Sequence, residues 1–162
     1  MPRVSQRNTK KSKDQIVVKV KKLSDKAVIP SYKTEGAAAF DLTTIEDIDL
    51  LTLNAYDKAL KVNTGLAFEI PKGYHMKVFL RSSIGLNTPL RLANGTGIID
   101  SDYRGPLILL VENIGRFPVR VPAGTRIAQG IIEKNEDVIF EQVEELEDTQ
   151  RGIKGFGSTG VN

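Results

Sequence analysis

The chain has 162 residues, a formal net charge of +3, no cysteine and a single histidine, His75. That length suits one domain able to fold without disulfides or a structural metal. The missing cysteines exclude thiol nucleophiles, iron–sulfur clusters and zinc sites built from Cys and His, and any hydrolase triad would have to recruit His75.

In chain order, residues 1–22 carry eight basic side chains (Arg3, Arg7, Lys10, Lys11, Lys13, Lys19, Lys21, Lys22) against Asp14. Residues 1–15 read as a basic, solvated leader with neither the apolar stretch of a signal peptide nor aromatics that could stack on bases. No apolar run approaches the roughly 18 residues that span a bilayer. The reading is a cytoplasmic protein with no membrane partner, and with a solvated leader favoured over the alternative of a nucleic-acid arm. Ile16 to Val20 reads as a strand, as does Lys61 to Ile70, and Asp57 to Val62 is ambiguous. A turn at Pro71-Lys72-Gly73 leads into alternation from Tyr74 to Leu80. Leu107 to Val111 is a continuous apolar run, predicting a strand buried on both faces. Phe117 to Val121 alternates, Pro122 to Gly124 turns, Ile127 to Ile132 starts another strand, and Val138 to Val143 closes the series. Eight acids between 133 and 148 (Glu133, Glu136, Asp137, Glu141, Glu144, Glu145, Glu147, Asp148) mark a polar linker. With turn signals every eight to twelve residues or so and no sustained helical period, the prediction is all-β, a barrel or jelly-roll-like sandwich.

Four stretches exceed what strands require. In Gly36 to Leu42, small residues precede Asp41, which sits between apolar neighbours; a buried carboxylate there needs partners, and capping a turn is the alternative. Arg81-Ser82-Ser83-Ile84-Gly85 offers a guanidinium and two hydroxyls to a phosphate, and it also suits a serine-capped short helix. Asn94 to Gly105 looks like a hairpin passing close to a ligand, with Asp100 a general-base candidate and Tyr103 a flat wall. An ordinary hairpin with aspartate-rich turns is the plainer reading. Arg151 to Gly160 holds four glycines (Gly152, Gly155, Gly157, Gly160), two cations, two hydroxyls and Phe156. Such a tail is flexible unless a ligand orders it. Together these features converge on a nucleoside polyphosphate hydrolysed by carboxylate-activated water, with a divalent ion neutralising the phosphates.

Their order and spacing resemble the homotrimeric dUTPases. The five motifs are Ala38 to Leu42, Arg81 to Gly85, Asn94 to Gly105, Arg126 to Gln129 and Arg151 to Gly160. The resemblance implies a β-clip sandwich at residues 16–148, with a C-terminal arm at 149–162 closing over the nucleotide. It implies a trimer whose three sites each draw on all three subunits. The implied reaction is hydrolysis of dUTP to dUMP and pyrophosphate with Mg²⁺, which lowers dUTP and supplies dUMP for thymidylate synthesis. By motif match, Asp100 activates the water that attacks the α-phosphorus, and Tyr103 packs under the deoxyribose. Asn94 with Gly97, Ile98 and Ile99 reads uracil, beside Ile108. Arg81, Ser82 and Ser83 hold the phosphates, with Gln129 near the α-phosphate. Arg151 clamps the γ-phosphate, Phe156 stacks on uracil, and Gly157, Ser158 and Thr159 close over the phosphates. Mg²⁺ is held by phosphates and waters rather than by direct protein ligands, with Asp41 acting through waters or at the subunit interface.

Four positions depart from the family pattern: Ala39, which tightens the first turn, Lys154, Pro106, which shifts the strand start, and Gly130, which loosens strand packing. Two rivals stand beside this reading. A dCTP deaminase-like enzyme would need a glutamate just after the hairpin, and Glu112 lies seven residues beyond Gly105. A phage-type regulatory dUTPase would bind a repressor protein.

Overall fold

The computed structural model describes residues 15–50, 59–153 and 155. Ten strands and one short helix occur among them: β1 (Lys19–Lys22), β2 (Phe40–Thr43), β3 (Ile48–Leu50), β4 (Leu60–Glu69), β5 (Tyr74–Leu80), α1 (Ser82–Asn87), β6 (Leu90–Leu92), β7 (Gly97–Ile99), β8 (Pro106–Asn113), β9 (Val119–Val121) and β10 (Arg126–Lys134). They form two four-stranded sheets, ordered β1-β4-β8-β6 and β2-β10-β5-β7, and a small β3-β9 pair. All the pairings are antiparallel. The fold is all-β and jelly-roll-like, as the recurring turns predict.

Leu42, Ile48, Leu66, Met76, Leu90, Leu107 and Ile127 are fully buried between the sheets, each contributing about 1.5–3 kcal/mol through burial. Asn113, also buried, donates from Nδ2 to the carbonyls of Leu50 (3.2 Å) and Phe117 (2.8 Å), and its Oδ1 accepts from the Gly115 amide at 2.9 Å. Its amide therefore costs little desolvation and ties the β8–β9 turn to the core. At Gly65 the backbone takes φ +68°, and an added Cβ would lie 2.9 Å from that of Ala27. Only glycine suits both demands, and the β4–β8 register shifts across this point.

Five expectations need correction. The first strand forms at Lys19–Lys22 rather than from Ile16, since that is the stretch facing Glu69 to Leu66 of β4. β8 starts at Pro106, opposite Ala67, and proline is acceptable as a strand's first residue. Burial along β8 alternates: Leu107, Leu109 and Val111 are buried while Leu110 is exposed and Ile108 half-buried. The apolar run thus serves one core face and one open face, and is not buried on both. Residues 135–150 form no strand, and Ile139 and Phe140 are 93% and 94% exposed because no described segment lies alongside to pair with them. Gly130, finally, tightens packing: an added Cβ would fall 2.5 Å from the Phe40 ring, which occupies the space and meets Tyr32 edge-on at 6.0 Å. The space a side chain would take at this position is filled by a ring from the neighbouring strand.

Candidate active site

β7 is the edge strand of its sheet. One side pairs with β5 (Val78 opposite Gly97, Met76 opposite Ile99), so its other side offers open peptide groups. This corrects the hairpin reading, because β7 does not pair with β8. The chain runs from one sheet to the other between Ile99 and Pro106, opening a cleft at the crossing. Two adjoining hollows of about 90 and 200 Å³ share Ile98, Ile99, Leu107 and Ile108 as walls. Asn94 and Gly97 line the first, and Asp100 and Tyr103 the second. Glu112 lies on β8 opposite Arg91 and lines neither hollow.

The turn after β7 is held by its own backbone and side chains. The Tyr103 amide donates to the Asp100 carbonyl at 3.2 Å, and the Tyr103 hydroxyl donates to the Pro106 carbonyl at 3.0 Å. Tyr103's ring lies against Gly105, where a Cβ would collide with the phenol oxygen, and the residue stays 45% exposed. A flat wall with a tethered tip follows from that one missing side chain. Asp100 is exposed beside it, lining the second hollow.

A second group forms at the far end of β5. Asp41 on β2 is 11% exposed; Arg81 Nε lies 3.0 Å from its Oδ1 and an Arg126 terminal nitrogen 2.7 Å from its Oδ2. A carboxylate so enclosed requires these partners, and the pairing replaces the turn-capping alternative. Arg126 reaches Asp41 because β10 is bulged between Arg126 and Ala128, changing which face the strand presents. Gln129 stands directly opposite Asp41 in the ladder, so it shares that face. Ser82 and Ser83 open α1 with both residues exposed. The helix is not serine-capped: Arg81 is its N-cap residue, without a side-chain cap bond, since its guanidinium is engaged by Asp41. Arg126 is the residue that motif reading passed over; its presence in the fourth motif was the available signal.

The structure thus gathers Asn94, Gly97, Ile98, Ile99, Asp100, Tyr103 and Ile108 in one place, and Arg81, Ser82, Ser83 and Gln129 with Asp41 in another. Because β5 and β7 are antiparallel with Met76 opposite Ile99, Asp100 lies level with His75, at the other end of β5 from Arg81. Six residues of strand span roughly 20 Å. Asp100 and Arg81 of one chain therefore stand at opposite ends of β5. Arg151 is exposed, and Phe156, Gly157, Ser158 and Thr159, like the basic leader and Lys154, lie outside the described residues.

A family model described as dUTPase matches residues 25–160. The chain belongs to the dUTPase family. Among curated members, the deoxyuridine 5'-triphosphate nucleotidohydrolase of Helicobacter hepaticus is 42% identical over 144 residues, 89% of each chain. That of Zymomonas mobilis subsp. mobilis is 40% identical over 148 residues, 90% of this chain and 99% of its own. The solved Staphylococcus bacteriophage 80alpha dUTPase with dUPNHPP superposes with a TM-score of 0.80 at 28% identity, covering 90% of this chain and 99% of that one. All five motifs, from Ala38 to Gly160, fall inside the matched residues. No helix among the described residues is long and apolar enough to cross a membrane.

Proposed function

We infer that the chain is a dUTP diphosphatase, hydrolysing dUTP to dUMP and pyrophosphate. The observation that carries this reading is the cleft in which an open strand edge, a flat phenol and an exposed carboxylate follow one another along β7 and its turn. A pyrimidine laid along β7 meets peptide N–H and C=O groups of Gly97, Ile98 and Ile99, which complement uracil's imide and mismatch cytosine's amine. Asn94 adds an amide, and Ile108 an apolar wall. Tyr103 packs under the deoxyribose and leaves no room for a 2′-hydroxyl. Asp100 takes the proton of a water in line with the α-phosphorus. Arg81, Ser82 and Ser83 hold phosphate oxygens, with Gln129 beside the α-phosphate. Each Asp41 oxygen is engaged by an arginine, so we assign Asp41 to aligning Arg81.

The roughly 20 Å between Asp100 and Arg81 within one chain supports a site shared between copies, and we propose the homotrimer that the motif pattern implies. In it, Arg151 clamps the γ-phosphate, Phe156 stacks on uracil, and Gly157, Ser158 and Thr159 close over the phosphates, residues 149–162 serving as an arm. Among the described residues, no three His, Asp or Glu side chains group to hold a metal. The guanidiniums and hydroxyls of the phosphate group suit a triphosphate carrying its own ion, so we propose that Mg²⁺ enters with dUTP. Bound there it neutralises phosphate charge. We place the reaction in the cytoplasm, where it lowers dUTP and supplies dUMP.

Pyrophosphate release tests the reading. With Mg²⁺ present, dUTP is turned over, while UTP, dTTP and dCTP each react at least about a hundredfold more slowly, because UTP and dTTP carry an added group that needs space and cytosine presents a mismatched amine. Equal turnover of UTP would remove the Tyr103 assignment, and ammonia release from dCTP would favour the deaminase. The phage 80alpha enzyme is described as controlling transfer of virulence genes; a repressor-type partner for this chain is tested by pull-down with and without nucleotide.

A further inference from the structure

We propose that Arg104 is a positioning residue for the hydrolysis: its guanidinium braces the turn that carries Asp100 and Tyr103, and so sets both the attack and the sugar wall. One terminal nitrogen of Arg104 donates to the Ser101 carbonyl at 2.6 Å and to the Tyr103 carbonyl at 3.0 Å. The Ser101 carbonyl lies inside the loop closed by the bond from the Tyr103 amide to the Asp100 carbonyl, and the Tyr103 carbonyl is the next peptide group beyond that loop. The turn is otherwise held by that single backbone bond, by the Tyr103 hydroxyl and by the Tyr103 ring against Gly105, while Asp102, Tyr103 and Arg104 are all exposed.

A charged donor spanning two carbonyls is strong for an exposed bond and fixes where both flanking side chains start. The charge of Arg104 is also felt outside the turn. Glu69, at the end of β4, has its carboxyl held below the ordinary carboxylate range, first by the hydrogen bond and charge of Lys19, 2.7 Å away, and further by the charge of Arg104. Nothing in the core requires an arginine here, and no phosphate-binding group lies among its partners.

The inference rests on the roles given to Asp100 and Tyr103 above, and its test separates the two. The variants are Arg104→Met, which keeps the stem and removes the donor, Arg104→Lys, which restores one donor atom, and Asp100→Asn. The readouts are kcat and KM for dUTP and the ratio of kcat/KM for dUTP over UTP, which is independent of the fraction of folded enzyme. Arg104→Met should lower kcat about tenfold or more, the order expected of a sub-ångström displacement of a base. It should also reduce the dUTP/UTP ratio at least severalfold, and Arg104→Lys should recover most of both. A wild-type ratio and kcat in Arg104→Met, with Asp100→Asn inactive, would overturn the brace while leaving Asp100 in place. A loss of kcat with the ratio untouched would likewise overturn it, since a brace must move the sugar wall. Full turnover in Asp100→Asn would instead remove the reading on which the proposal stands.

Discussion

Asp100→Asn should lower kcat for dUTP at least about a hundredfold while leaving nucleotide binding measurable, the scale of losing a positioned general base. Asn matches Asp in shape but has no carboxylate to take up the proton of water. The surrounding geometry has no reason to move: the turn closes through the backbone carbonyl of Asp100, not its side chain, and the Tyr103 ring is fixed by Gly105 and the Pro106 carbonyl. With His75 nearly level on the paired strand and hydrogen-bonded at 2.7 Å to Asn135, no second base among the cleft-lining residues replaces it. Steady-state kinetics with titration calorimetry on a non-hydrolysable analogue checks both halves. Turnover within a few-fold of the parent would take Asp100 out of the mechanism.

Asp41→Ala should affect stability and substrate affinity together. The carboxylate is 11% exposed between guanidiniums whose side chains are 27% and 44% exposed. Removing it leaves two like charges facing each other without their counter-ion. Breaking a fully enclosed pair costs about 3–5 kcal/mol; solvent reaching both arginines lowers the expectation to about 2–3 kcal/mol. Arg81 also loses the bond that aligns it, so KM for dUTP should rise. Denaturant unfolding of nucleotide-free protein at fixed protein concentration measures the first effect, and kinetics the second. If stability without nucleotide is unchanged and only turnover falls, Asp41 acts on the bound substrate or its ion and not through the arginines.

Local features of this molecule were legible in the sequence, and partners distant along the chain were not. β5 and β10 could be read because alternation and turn residues are written side by side, from Tyr74 to Leu80 and from the turn at Gly124 onward. The acidic hairpin was misjudged for the complementary reason. Gly95, Gly97 and Gly105 look like a self-contained turn, yet β7 pairs with β5, about twenty residues upstream, and only that choice opens the cleft. Asp41 announced that it needed a partner without naming one, because Arg126 is 85 residues away and reaches it through a bulge. Val138 to Val143 has a strand's composition, but no described segment lies alongside to pair with it. Gly130 was misread because the ring that fills its place comes from Phe40, on another strand. The candidate site residues were named by motif order; which of them meet within one chain was decided by the β5–β7 register.

That register gives the most direct test of the account. An Asp100→Asn chain and an Arg81→Ala chain are each expected to be nearly inactive as purified, and can be mixed by unfolding and refolding together. If base and phosphate arginine come from different copies, some sites in the mixed oligomer combine an intact Asp100 with an intact Arg81, and dUTP hydrolysis returns to a substantial fraction of the parent rate. A mixed oligomer, verified by tags on both chains, that remains as inactive as either variant alone would contradict the account.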